Sequence, residues 1–349
     1  MSPKINRRGA LGFGTAVAAG TVLAGGSAVA AATGASALEA GETAEEISPA
    51  TSVSQACERV RRIYERHSAV AGGTWRAHIT VADSAGNQHV AVSDESDTVV
   101  DALSVNKIAI ATAVLDKADR GLIAMTDLID VTQEIIIPGG DGMFRFDGWY
   151  PSHVTVGHAL ANLLTISCDT SVRLSGLKAP TLEINEIMVA KGFPKTQVEP
   201  GSNPNRMFMG WTTPREMHDL FSAHIRGQLL SETATTFLFN LLRSPIAFTD
   251  GIRLNLSTND RMRIATKAGW LDNDRHEAGI VFDAAGAPIL TYSIFATLPD
   301  SDPENYGSTH PLNAARARMG ERFFNVVSRL SGPARFAEAA PEYQPTNGG

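Results

Sequence analysis

Apolar residues recur at helical spacing at Val53, Ala56, Val60, Ile63 and Tyr64, which predicts a helix over 53–70. Two short β-type runs, 75–82 and 88–93, flank Ser84-Ala85-Gly86-Asn87 and predict a hairpin. Residues 103–115 are largely apolar and long enough for a helix, interrupted by Ser104, Asn106, Lys107 and Thr112. From 119 to 260 the pattern is mostly helical, clearest at 156–164, 169–177, 181–191, 213–226 and 231–243. Strand character returns at 262–270, 277–283 and 289–298. A last amphipathic helix over 310–330 gathers Leu312, Ala315, Met319, Phe323, Val326 and Leu330 on one side. This order predicts an α+β fold (an α/β sandwich) with an antiparallel sheet of about five strands, flanked by the N- and C-terminal helices. An all-helical lobe, about residues 115–258, is inserted mid-chain. A cleft between sheet and lobe is the expected place for a small-molecule site.

The ends read differently. Lys4, Arg7 and Arg8 precede an apolar, Ala/Gly-rich run from Gly9 to Ala32, and small residues follow at 28–30 and 35–37. That order is a secretory signal over residues 1–37, and Arg7-Arg8 suggests the twin-arginine route and a secreted protein. Residues 38–52 read as a solvated linker, 53–333 as the folded domain and 334–349 as a fraying tail. No later segment approaches 18 uninterrupted apolar residues, so no membrane span is expected once the signal is removed.

Composition narrows the function classes. The chain of 349 residues is 43% hydrophobic and 19% charged, enough for a sizeable core. Its net charge is −7, and the first 37 residues contain bases but no acid, so the remainder is more acidic still. Such a protein has no electrostatic footprint for a phosphate backbone, and nucleic acid is not an expected partner. Cys57 and Cys168 are too few for a disulfide framework and are expected as two free thiols. The nine histidines form no His-Glu-x-x-His and no Cys/His cluster, and no Gly-rich phosphate loop follows a strand. No metal or nucleotide cofactor is expected.

Ser104 and Lys107 lie three apart, so a helix places hydroxyl and amine one turn apart on one face. An amine beside a hydroxyl is what activation of a weak nucleophile requires, and a desolvated lysine has the lowered pKa for it. The spacing alone does not choose a site, because Ser175 and Lys178 repeat it just before Pro180. Further motifs follow Ser104-Val105-Asn106-Lys107 in order: Pro138-Gly139-Gly140, Ser167-Cys168-Asp169, Thr212-Thr213-Pro214-Arg215-Glu216, and Lys267-Ala268-Gly269-Trp270. In this order, over most of residues 55–330, the chain resembles the class A β-lactamase and penicillin-binding-protein superfamily of active-site serine enzymes.

The resemblance implies a hydrolase acting through an acyl-Ser104 intermediate, with Lys107 helping to remove the Ser104 proton. Ser167 relays a proton to the leaving group, and Lys267 supplies positive charge. The N–H groups of Ser104 and Trp270 form the oxyanion hole. Asp169, Ala268, Gly269, Arg275, His276 and Tyr150 are candidate substrate-binding residues. The implied partner is a small-molecule acyl substrate, a β-lactam or another ester or amide, bound by a monomer without a cofactor. A non-catalytic binding protein is the remaining reading, and four retained polar residues argue against it.

Three departures from the family pattern bear on function. Asp169 stands where Asn is usual, and beside Lys107 it favours the charged ammonium. Ala268 lacks a hydroxyl that relatives point at a substrate carboxylate. Glu199-Pro200-Gly201-Ser202-Asn203 has the spacing of the stretch carrying the deacylating Glu, but Glu199 falls early in a short loop. It is either that base or an ordinary loop carboxylate. Met143, Phe144, Phe146, Trp149 and Tyr150 either wall the cleft or pack the lobes together; Arg275 and His276 either read an anion or serve structure.

Overall fold

The computed structural model describes residues 41–333 and 343–346. The signal segment 1–37 and most of the tail 334–349 lie outside the described residues.

The first helix, α1 (Val53–Ala71), starts where the Ser52 hydroxyl accepts the Gln55 N–H, and buries Ala56, Val60, Ile63 and Tyr64. It stops at Gly72, whose φ of 72° suits glycine. The hairpin of β1 (Thr74–Ala82) and β2 (Gln88–Asp94) is closed by Asp83, whose carboxylate accepts the N–H groups of Ala85 and Asn87. A short strand β3 (Val100–Asp101) leads through a 3-10 turn, Leu103–Asn106, into α2 (Lys107–Asp119). Then come β4 (Leu128–Val131), β5 (Ser152–Thr155), α3 (Val156–Thr165), α4 (Asp169–Gly176) and α5 (Thr181–Ala190). The strands β6 (Gln197–Pro200) and β7 (Met207–Thr212) precede α6 (Pro214–Ile225), α7 (Glu232–Arg243) and the single turn α8 (Thr258–Arg261). The chain returns as β8 (Ile264–Leu271), β9 (Asp274–Phe282) and β10 (Pro288–Thr297) and closes with α9 (Pro311–Val327).

The main sheet is antiparallel and five-stranded, as the sequence predicts, and its strand order is β2-β1-β10-β9-β8. Its two faces bury separate cores. One, with Ile79, Val81, Ile264, Ile294, Met319 and Phe323, lies under α1 and α9; the other, with Ala265, Ile280, Phe295 and most of α2, lies under the inserted lobe. Side chains alternate along a strand, so on β8 Ala265, Lys267 and Gly269 face the lobe, and Ile264, Thr266 and Ala268 face α9. That alternation aims Lys267 at α2.

Two expectations change. The inserted lobe is not all helical: β4 pairs with β5, and β3, β7 and β6 form a second small sheet. These strands are too short for alternation to stand out against the helices around them. Nor do residues 42–52 run free in solvent. The Glu42 carboxylate is buried on Arg322 and His67, and Ala50 donates its N–H to the Val326 carbonyl on α9. Cys57 and Cys168 are both free thiols, the second fully buried.

Candidate active site

The 3-10 turn that carries Ser104 is held from two sides. Leu103 enters it at φ 50°, a left-handed conformation costly for a non-glycine residue. The buried Asn106 amide donates to the carbonyls of Gln197 (2.9 Å) and Met209 (2.6 Å), pinning the turn to the β6–β7 hairpin. On the other side runs β8, an edge strand. A Cβ at Gly269 would stand 2.7 Å from the Ser104 nitrogen, so only glycine lets the strand pass this close. Beyond the turn, α2 is buried from Lys107 to Leu115. Ser104 itself is half-buried, and its hydroxyl makes no hydrogen bond among the described residues.

Three further polar groups converge beside it. Ser167 adopts φ 57° just before α4, and its hydroxyl lies 3.0 Å from Nζ of Lys107 and 3.0 Å from Nζ of Lys267. Lys107 also donates to the Ser167 carbonyl and, at 2.8 Å, to Asp169. Its three N–H donors are therefore spent. The second Asp169 oxygen accepts the Asp141 N–H, and the Asp169 N–H donates to the Asp141 carbonyl. The loop bearing Asp141 fits tightly: at Gly142, φ 103°, a Cβ would fall 2.3 Å from the Cys168 sulfur. Lys267 donates to the Ala268 carbonyl and has no ion-pair partner among the described residues. Burial, and then the positive Lys107, push its pKa well below the ordinary lysine value. Of the two amines around Ser167, Lys107 has a counter-ion and Lys267 does not.

The remaining candidates divide. Gly269 and the half-buried Trp270 belong to the cluster, the Trp270 ring stacking on Phe248 at 5.5 Å. Ala268 is fully buried opposite Glu277. Tyr150 is half-buried, donates its hydroxyl to the Phe144 carbonyl and packs on the lobe core. Arg275 is buried and spends its guanidinium on the carbonyls of Asp272, Asp274 and Asn305, tying down the chain before α9. His276 is buried against the Phe295 ring, accepts the Ala296 N–H, and is held neutral by burial, its pKa lowered to about 3. Glu199 is exposed on β6 opposite Phe208 and shares no hydrogen bond or ion pair with Ser104, Lys107, Ser167 or Asp169. Met143, Phe146 and Trp149 are exposed.

Two groups escape the sequence reading. Asn106 gives no signal beyond a polar residue in an apolar run. Asp141 is an acid in the Gly-rich loop 138–142, half-buried; burial raises its pKa first and Asp169 second, while Lys107 and Lys267 oppose them. Two hollows adjoin the cluster. One, of about 190 Å³, is lined by Ser167, Lys267, Trp270, Phe248 and Asp250; the other, of about 530 Å³, runs from Asp169 to the β6–β7 hairpin. Among the described residues no group of three or more His, Cys, Asp or Glu is arranged to hold a metal ion, and no helix is long and apolar enough to cross a membrane.

A five-stranded antiparallel sheet with a helical insertion, and a serine turn wedged between the edge strand and a Lys–Ser–Lys cluster, define an active-site serine hydrolase of the class A β-lactamase type. A model of the beta-lactamase enzyme family matches residues 58–325, and the chain belongs to that family. The chain is 21% identical over 210 residues to beta-lactamase VEB-1 of Pseudomonas aeruginosa, covering 56% of this chain and 69% of that one. Its fold is shared with a beta-lactamase from Chitinophaga pinensis (TM-score 0.63, 18% identity, 76% of this chain and 98% of that one). It is also shared with PBP-A (TM-score 0.59, 17% identity, 79% and 98%).

Proposed function

We propose that the protein is an exported acyl hydrolase that opens a β-lactam amide through an ester on the Ser104 oxygen. The observation that carries this reading is the pair of amines 3.0 Å from the Ser167 hydroxyl, only one of them with a counter-ion. Lys107 is paired with Asp169 and donates to Ser167. Burial and the positive Lys107 favour the neutral form of Lys267, and in that form its amine can take the Ser167 hydroxyl proton across the 3.0 Å contact. As the Ser104 oxygen attacks the carbonyl carbon, its proton passes through Ser167 to Lys267. The developing oxyanion lies between the N–H groups of Ser104 and Trp270, a donor pair worth roughly 3 kcal/mol per donor. The C–N bond then breaks, and Ser167 delivers a proton to the departing nitrogen, refilled from Lys267. Lys107 therefore orients Ser167 and stabilises charge instead of removing the Ser104 proton.

Hydrolysis of the ester is the slower half. Glu199 is exposed on a strand, and the Asp169 carboxylate is committed to Lys107 and to the Asp141 N–H, so neither is placed as a free base beside Ser104. A long-lived acyl-enzyme follows, and the same observation supports a second reading, an esterase or acyl-transfer enzyme that uses an acceptor other than water. Incubation with a penicillin and a chromogenic cephalosporin, following intact mass and ring opening together, tests both. Turnover without an adduct means a β-lactamase; a lasting single adduct on Ser104 means the second reading; neither signal removes β-lactams from the substrate class. Export rests on the start of the chain alone, and Arg7→Lys with Arg8→Lys should retain the protein inside the cell if the route is the twin-arginine one.

A further inference from the structure

The larger hollow holds positive charge that no ion pair among the described residues neutralises. Arg206 sits in the turn between β6 and β7, its backbone fixed by hydrogen bonds from its N–H to the Asn203 carbonyl and to its own carbonyl from Gly201 and Thr181. Its Nη1 is buried and has no hydrogen-bond partner. Arg173, on α4, lines the same hollow and donates only to the carbonyls of Ile135 and Ile136. Neither guanidinium has an ion-pair partner among the described residues. Burial, and then the positive charge of Arg173, lower the Arg206 pKa. The one acid on the wall, Asp169, is already committed to Lys107 and to the Asp141 N–H. Phe208 and Met209 supply apolar surface between this charge and the Ser104 turn.

The position of the hollow says which part of a substrate would enter it. The leaving group must lie beside Ser167, which belongs to the smaller hollow with Lys267 and Trp270. The acyl arm then extends the other way, past Asp169. We propose that the larger hollow is a subsite for an acyl arm ending in a carboxylate, which Arg206, supported by Arg173, binds by charge-assisted hydrogen bonds across an apolar spacer. This rests on the acyl-Ser104 reading and names its substrate class: acyl donors carrying a carboxylate on the side away from the bond that breaks.

The test compares two cephalosporins that differ only in the arm, a glutaryl amide and its isosteric pentanoyl amide, so that the ring carboxylate is common to both. Wild type should acylate with the glutaryl compound at least about tenfold faster in second-order rate, a preference that shrinks as salt rises. Arg206→Gln should bring the ratio close to one while leaving the pentanoyl rate within about twofold, and Arg206→Lys should restore part of the preference. A wild-type ratio of one, or an equal fall for both compounds in Arg206→Gln, overturns the subsite. Calorimetric titration with N-propyl glutaramate, against N-propyl pentanamide, separates this inference from the reaction itself. If neither cephalosporin acylates Ser104, the reaction assignment fails, whereas glutaramate binding that Arg206→Gln abolishes still supports the subsite. Equal or absent binding of the two amides overturns it.

Discussion

The two hollows that adjoin the cluster of Lys107, Ser167, Asp169 and Lys267 differ in how their polar groups are used. Around Ser167 the polar groups are tied to one another: Lys107 makes three hydrogen bonds, Asp169 is shared between Lys107 and the Asp141 N–H, and Lys267 reaches a hydroxyl and a carbonyl. Two non-glycine residues there, Leu103 and Ser167, hold left-handed backbone that only dense packing can impose. On the hairpin side, a buried guanidinium nitrogen has no hydrogen-bond partner, and two arginines line one hollow without an ion pair among the described residues. The first region is organised before a substrate arrives, as electrostatic catalysis needs. The second is left incomplete, as recognition needs. On the proposed reading, chemistry belongs to one side and selectivity to the other.

Four substitutions sharpen or break this contrast. Lys267→Met removes the neutral amine and should lower the acylation rate by about a thousandfold in stopped-flow traces, within the range of general-base losses. A loss under about tenfold would return the base role to Lys107. Gly269→Ala forces a methyl against the Ser104 nitrogen and should cost about a hundredfold in acylation by displacing the turn. Asp169→Asn withdraws negative charge that favours the protonated Lys267. Since the rate falls as pH drops through the Lys267 pKa, this variant should carry the acidic limb of the acylation profile to lower pH; a shift to higher pH contradicts the assignment. Glu199→Gln should leave deacylation within about twofold of wild type, because the side chain lies in solvent. A trapped acyl-enzyme in that variant would return Glu199 to the mechanism.

Much of the fold is legible because its helices are amphipathic and its main strands are flanked by clear turns; α1, the β1–β2 hairpin and α9 fall where periodicity puts them. Ser104, Ser167 and Lys267 are legible because they recur in a fixed order of motifs. Glu199 is not. Its Glu-Pro-x-x-Asn spacing is genuine, but the Asn106 amide captures the Gln197 and Met209 carbonyls and turns the segment into a paired strand. Local sequence does not report a bond to a residue so distant in the chain. Arg275 and His276 look like recognition residues because they are polar beside Trp270, yet their partners lie in the Asn305 region and on β10. Residues 42–52 read as solvated by composition, and one carboxylate, Glu42, reverses that by finding Arg322 and His67. Arg206 is one basic residue in a loop until the fold places it in one hollow with Arg173, where the acid on the wall, Asp169, is committed to Lys107.

The central claim is that Ser104 is the nucleophile, and mass spectrometry tests it most directly. Wild type and Ser104→Ala, each incubated with a penicillin, are quenched within seconds and mapped by peptide. One penicilloyl group on the peptide containing Ser104, absent from the variant, is the predicted result. Labelling of Ser104→Ala, or an adduct on any other residue of the wild type, would contradict it.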